Sequence, residues 1–89
     1  MIDVQAQDKE KFSVTVDEKG GTGSFTVTVS DDYHRKLTGG KYSKEELVRA
    51  SFTFLLEREP ASAILSSFEL PVIARYFPEY ERSIKDYLQ

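Results

Sequence analysis

Nucleophilic catalysis of the serine or cysteine kind pairs its nucleophile with a base, most often histidine. This chain has one histidine, His34, and no cysteine. His34 stands between Tyr33 and Arg35, where the neighbouring cation disfavours a protonated imidazole and no carboxylate is spaced to orient the ring. The glycines of Gly20-Gly21-Thr22-Gly23 invite comparison with a phosphate-cradling loop. Such a loop needs a lysine and a hydroxyl residue after its last glycine, opening a helix, whereas Gly23 leads into Ser24 and an alternating strand. The acid pairs Asp31-Asp32, Glu45-Glu46 and Glu57/Glu59 fall at helix starts and on a solvated helix face, without the alternating acids around a glycine that make a calcium loop. The reading is a non-enzyme, with no catalytic, cofactor-binding or metal-binding residue to assign.

The elements that carry these residues can be read from pattern. Phe12 to Val16 and Phe25 to Val29 alternate apolar and hydroxyl residues, with β-branched types suited to a pleat. The glycine-rich stretch Asp17 to Ser24 between them predicts an antiparallel hairpin in which Val16 faces Phe25, Val14 faces Val27 and Phe12 faces Val29. Ser43-Lys44-Glu45-Glu46 has a serine three residues before a glutamate, the signature of a capping box, and Pro60 closes the helix it opens after Glu59. Leu47, Ser51 and Leu55, beside Val48, Phe52 and Leu56, give that helix a wide apolar stripe. A short helix through Tyr33 to Leu37 is capped by Ser30-Asp31-Asp32 and ended by Thr38-Gly39-Gly40. Three prolines, Pro60, Pro71 and Pro78, each stand at a first helical position and predict helices over Ala61 to Ser67, Val72 to Tyr76 and Glu79 to Leu88. The expected fold is α+β: an N-terminal two-stranded antiparallel hairpin packed against a long central helix and short proline-started C-terminal helices. Residues 1–89 form a single domain in this reading, with 1–10 either a loose leader or a third strand.

Composition limits the rest. The chain has 89 residues, near the lower end of what buries a self-sufficient core, with 39% hydrophobic residues, five tyrosines and six phenylalanines to build one. No apolar run approaches the roughly 20 residues of a spanning helix, and the start lacks the basic and apolar regions of a signal peptide, so a soluble, cytoplasmic protein is expected. A net charge of −3 argues against indiscriminate attraction to phosphate backbones, although Arg35, Lys36, Lys41, Lys44 and Arg49 make the stretch 33–49 locally basic. The C-terminal aromatics Phe68, Tyr76, Phe77, Tyr80 and Tyr87 read either as core or as a binding groove; so short a chain cannot bury every one, and a leftover patch rimmed by Arg75, Glu79 and Arg82 would mark a protein contact or self-association.

Ser24-Phe25-Thr26-Val27-Thr28-Val29-Ser30, a short helix ending at Leu37, a glycine turn and Ser43-Lys44-Glu45-Glu46-Leu47-Val48-Arg49-Ala50 together resemble a ribbon–helix–helix DNA-binding protein. The resemblance implies that Thr26, Thr28 and Ser30 read bases and that Ser43 and Lys44 hold phosphate, as in a DNA-binding regulator or antitoxin. The C-terminal segments Glu57-Arg58-Glu59-Pro60, Phe68-Glu69-Leu70-Pro71 and Arg75-Tyr76-Phe77-Pro78-Glu79-Tyr80 resemble a group of small bacterial proteins of uncharacterised function, which implies a compact fold. The leading expectation is a small non-catalytic interaction module. Its partner is a protein or its own second copy, with Tyr76, Phe77, Tyr80 and Tyr87 as contacts; nucleic acid is the alternative, and no membrane, metal or cofactor is expected.

Overall fold

The computed structural model describes residues 2–18 and 21–88. The elements in order are β1 (Ile2–Ala6), β2 (Lys11–Glu18), β3 (Gly21–Thr28), α1 (Asp31–Thr38), α2 (Lys44–Leu56), a 3-10 turn (Ala61–Ala63), β4 (Ser67–Glu69), α3 (Val72–Tyr76) and α4 (Tyr80–Tyr87). The four strands form one mixed sheet in the order β1-β2-β3-β4, antiparallel except for the parallel pair β3–β4. Two features of the expected architecture are therefore wrong. The sheet has four strands rather than two, and the long central helix expected over Ser43 to Glu59 is a 13-residue helix that is one of four.

Each correction has a physical cause. Val4 is buried and faces Val14 across β1–β2, so the N-terminal segment adds a strand because β2 has a second edge to satisfy. The helix expected after Pro60 winds only through Ala61–Ala63. Beyond it the period becomes two: Phe68 and Leu70 turn inward while Ser67 and Glu69 stay exposed. The other edge of β3 supplies the bonds that hold this segment extended, with Thr26 N–H donating to Ser66 O at 2.9 Å and Leu70 N–H to Thr28 O at 2.9 Å. Helix α2 ends at Leu56 in a tightened last turn, where Arg58 N–H and Glu59 N–H both close on Leu55 O, and Pro60, which disfavours helical backbone at Glu59, blocks a further turn.

The hairpin register also differs. Val14 faces Phe25, Phe12 faces Val27 and Val16 faces Gly23, a slip of two residues from the expected pairing. The strands run on to the Glu18–Gly21 pair, so the expected turn is largely strand, and its centre at 19–20 lies outside the described residues. Gly23 makes room for the Phe25 ring: a Cβ there would stand 2.8 Å from it and force the ring to shift.

The helices cover one face of the sheet. Val14, Val16, Val27 and Val29 are fully buried against α2, whose capping box forms as expected: Glu46 N–H donates to Ser43 Oγ at 3.0 Å and Ser43 N–H to Glu46 Oε1 at 2.9 Å. Phe52 points to the sheet, packing on Phe25 and Phe68, while Phe54 points to the C-terminal helices, meeting Phe77, Tyr80 and Tyr87 edge-on. Helix α2 is thus buried on two sides, more deeply than a single stripe implies.

Candidate interaction surface

The aromatic residues expected to form one patch are dispersed by the fold. Helix α3 is a five-residue helix that turns Ile73 into the core and leaves Tyr76 65% exposed. Phe77 ends it half-buried against Phe54. Tyr80 opens α4 completely buried, its hydroxyl 2.6 Å from Ser51 Oγ, so its assignment as a contact residue is corrected to a core residue. Tyr87 is half-buried beside α2, its hydroxyl donating to Glu57.

Tyr76 and Phe77 line a groove of about 180 Å³ together with Leu55, Leu65, Phe68 and Val72. The groove lies between the inner side of β4 and α3. Among the described residues, Leu65, 49% exposed, and Tyr76 are the large hydrophobic side chains left in water, and both border it. Glu59 is the charged residue in its wall, and no ion pair among the described residues includes it. Sequence reasoning included Phe68 in its aromatic run but missed Leu65 and Val72. Leu65 falls in a stretch read as helix, where it would be assigned to a buried stripe. The available signal was the Ser66-Ser67 pair beside it, which interrupts any apolar helical face.

The residues assigned by resemblance to DNA contacts are occupied locally. Ser30 Oγ accepts from Tyr33 N–H and Ser43 Oγ from Glu46 N–H, each as a helix cap. The Lys44 ammonium donates to Asp31 and to the Lys9 carbonyl, and this bond holds the Asp31 carboxyl below its ordinary range. Thr26 and Thr28 stand on the open face of the sheet, in a strand bonded along both edges within the chain. The basic stretch 33–49 is likewise tied down in part, with Lys36 on Glu81 at 3.1 Å and Arg49 on Ile2 O at 3.2 Å. His34 Nε2 bonds the Tyr42 carbonyl, joining α1 to the loop before α2. Among the described residues no three His, Cys, Asp or Glu side chains gather as metal ligands, and no helix is long and apolar enough to cross a membrane.

The helical layer carries a pH-sensitive contact. Tyr33 Oη donates to Glu81 at 2.8 Å, and that bond, with Lys36, holds the Glu81 carboxyl below its ordinary value, while burial pushes the Tyr33 phenol up. A carboxyl lowered in the folded state takes up its proton first in the unfolded chain, so its contribution is present above the ordinary pKa of about 4.3 and lost as pH falls through the folded value. The melting temperature is expected to hold from about pH 7 to 5 and to drop below about 4, less steeply in Glu81→Gln. Circular-dichroism melts across that range read both limbs; parallel acid limbs in the two proteins would assign the loss to other carboxylates.

Compared with known proteins, the chain matches no family model, no curated protein and no solved structure.

Proposed function

We propose that this chain is a non-catalytic cytoplasmic interaction module whose protein partner docks on the groove between β4 and α3. One observation carries the reading: the two large hydrophobic side chains left exposed among the described residues, Leu65 and Tyr76, border the same apolar groove. Isolated exposed hydrophobics are common and need no explanation, but two that flank a shared concave surface make a contiguous patch. Tyrosine suits such a site, because it brings a large, stiff contact area with a polar tip. The non-catalytic part is supported by employment: the single histidine, His34, is held by Tyr42, and among the acids Glu46 is held by the Ser43 cap and Asp31 by Lys44.

The test is contact in the living cell. With a photo-crosslinking amino acid at Tyr76, irradiation should give a discrete covalent adduct to another polypeptide, and the same substitution at the exposed Thr15, on the open sheet face, should not. Tyr76→Ala should then weaken the purified pair about 30-fold, the effect of losing a contact worth about 2 kcal/mol. No adduct from position 76, or equal adducts from both positions, would overturn the reading.

A further inference from the structure

We infer that the partner binds as an extended peptide that adds a fifth strand to the free edge of β4, with apolar side chains in the groove and a lysine or arginine against Glu59. The inference rests on the groove being the docking site and names what enters it.

The backbone of β4 supplies the first argument. Ser66 O and Leu70 N–H bond β3, and successive residues of a strand alternate in direction, so Phe68 also faces β3 while Ser67 and Glu69 turn their N–H and C=O groups outward. In the sheet order β4 is an edge, and no strand among the described residues lies beyond it. Two outward donors and two outward acceptors at a spacing of about 7 Å match the repeat of an extended chain. A helix would leave them unpaired.

The groove supplies the second. It opens on the inner side of β4, where Phe68 points, with Val72 and Tyr76 of α3 opposite. A strand laid beside β4 would send every second side chain into that space and the others to the open face. Backbone pairing and groove filling therefore demand the same conformation from one ligand.

Charge selects between occupants. Glu59 in the groove wall and Glu69 on the edge strand lack ion-pair partners among the described residues. A second copy paired edge to edge about a two-fold axis would bring two such acidic edges together, whereas a peptide with a basic residue beside its apolar ones neutralises them.

The probe is a displayed library of random heptapeptides, panned on the full chain in moderate salt. Enriched sequences should carry apolar residues two positions apart next to a lysine or arginine, and Glu59→Lys should reverse the charge preference. A synthetic enriched peptide should then bind Ser67→Pro at least about tenfold more weakly, because proline removes an outward N–H and crowds the edge. That N–H makes no bond to β3, so the cooperative melt should persist. If Ser67→Pro does not fold, the enriched peptide methylated on alternate backbone nitrogens gives the same reading against the unaltered chain. Binding that survives Ser67→Pro or backbone methylation but is lost in Tyr76→Ala would overturn strand addition and leave the groove reading intact. No enrichment, with no adduct from position 76, would overturn both. A dimer in light scattering that Ser67→Pro dissociates would put a second copy on the edge and overturn the peptide.

Discussion

Phe52→Asp is expected to abolish the cooperative unfolding transition. Phe52 is completely buried, its ring 5.2 Å from Phe25 and 6.1 Å from Phe68, so one side chain joins α2, β3 and β4. Removing a buried phenylalanine costs about 3–5 kcal/mol, and an unpaired carboxylate in its place adds several more. A domain of this size has about 5–10 kcal/mol in all. Thr53→Asp, one residue along on the exposed side of the helix, should change stability by no more than about 0.5 kcal/mol. Circular-dichroism melts of the two variants separate burial from a general intolerance of charge in α2. A wild-type melt from Phe52→Asp would mean that the inward face of the helix has been misplaced.

The second large effect belongs to Tyr80 and resolves into parts. Ser51 Oγ donates its single proton to Leu47 O at 2.7 Å, so the 2.6 Å contact with Tyr80 must be donated by the phenol. Burial pushes that phenol's pKa up and keeps it a donor. Tyr80→Ala should cost about 3–5 kcal/mol through the cavity under Phe54. Tyr80→Phe should cost only about 1 kcal/mol, because Ser51 keeps its bond to Leu47. Ser51→Ala strands a buried hydroxyl and should cost about 1–3 kcal/mol, much of which Tyr80→Phe restores in the double variant. Urea titration of the four proteins measures the coupling. A Tyr80→Ala protein as stable as wild type but deficient in partner adducts would return Tyr80 to the surface.

How far such sites could be read beforehand depended on whether the signal was local. Helix α2 was legible because Ser43 and Glu46 make their capping bonds within one turn. The Phe12–Val16 and Phe25–Val29 alternation named two strands but not their register, because a two-residue slip keeps the same face inward. Strand β4 carries almost no signal of its own. Three residues cannot establish a period, and their partner lies about forty residues upstream, beyond any window in which periodicity is counted. The candidate groove inherited that blindness, since Phe68 lies on β4 and Leu65 in the segment leading into it. Tyr76 and Tyr80 looked alike as neighbouring aromatics. Their opposite fates follow from the break between α3 and α4 at Phe77, which lets the two residues point in unrelated directions.

The parallel placement of β4 also gives the chain an order of events. Joining β2 to β3 closes a loop of two residues, whereas joining β4 to β3 closes one of about forty, at an entropic cost of roughly 3 kcal/mol on the logarithmic scale of loop length. Contacts of such sequence separation are recovered only after local ones have repaid their own ordering. The first third of the chain can assemble as a self-contained meander with α2 laid across it, and the edge strand is then recruited to a finished template. The surface assigned to the partner is therefore built from the part of the molecule that arrives last, and leaves first.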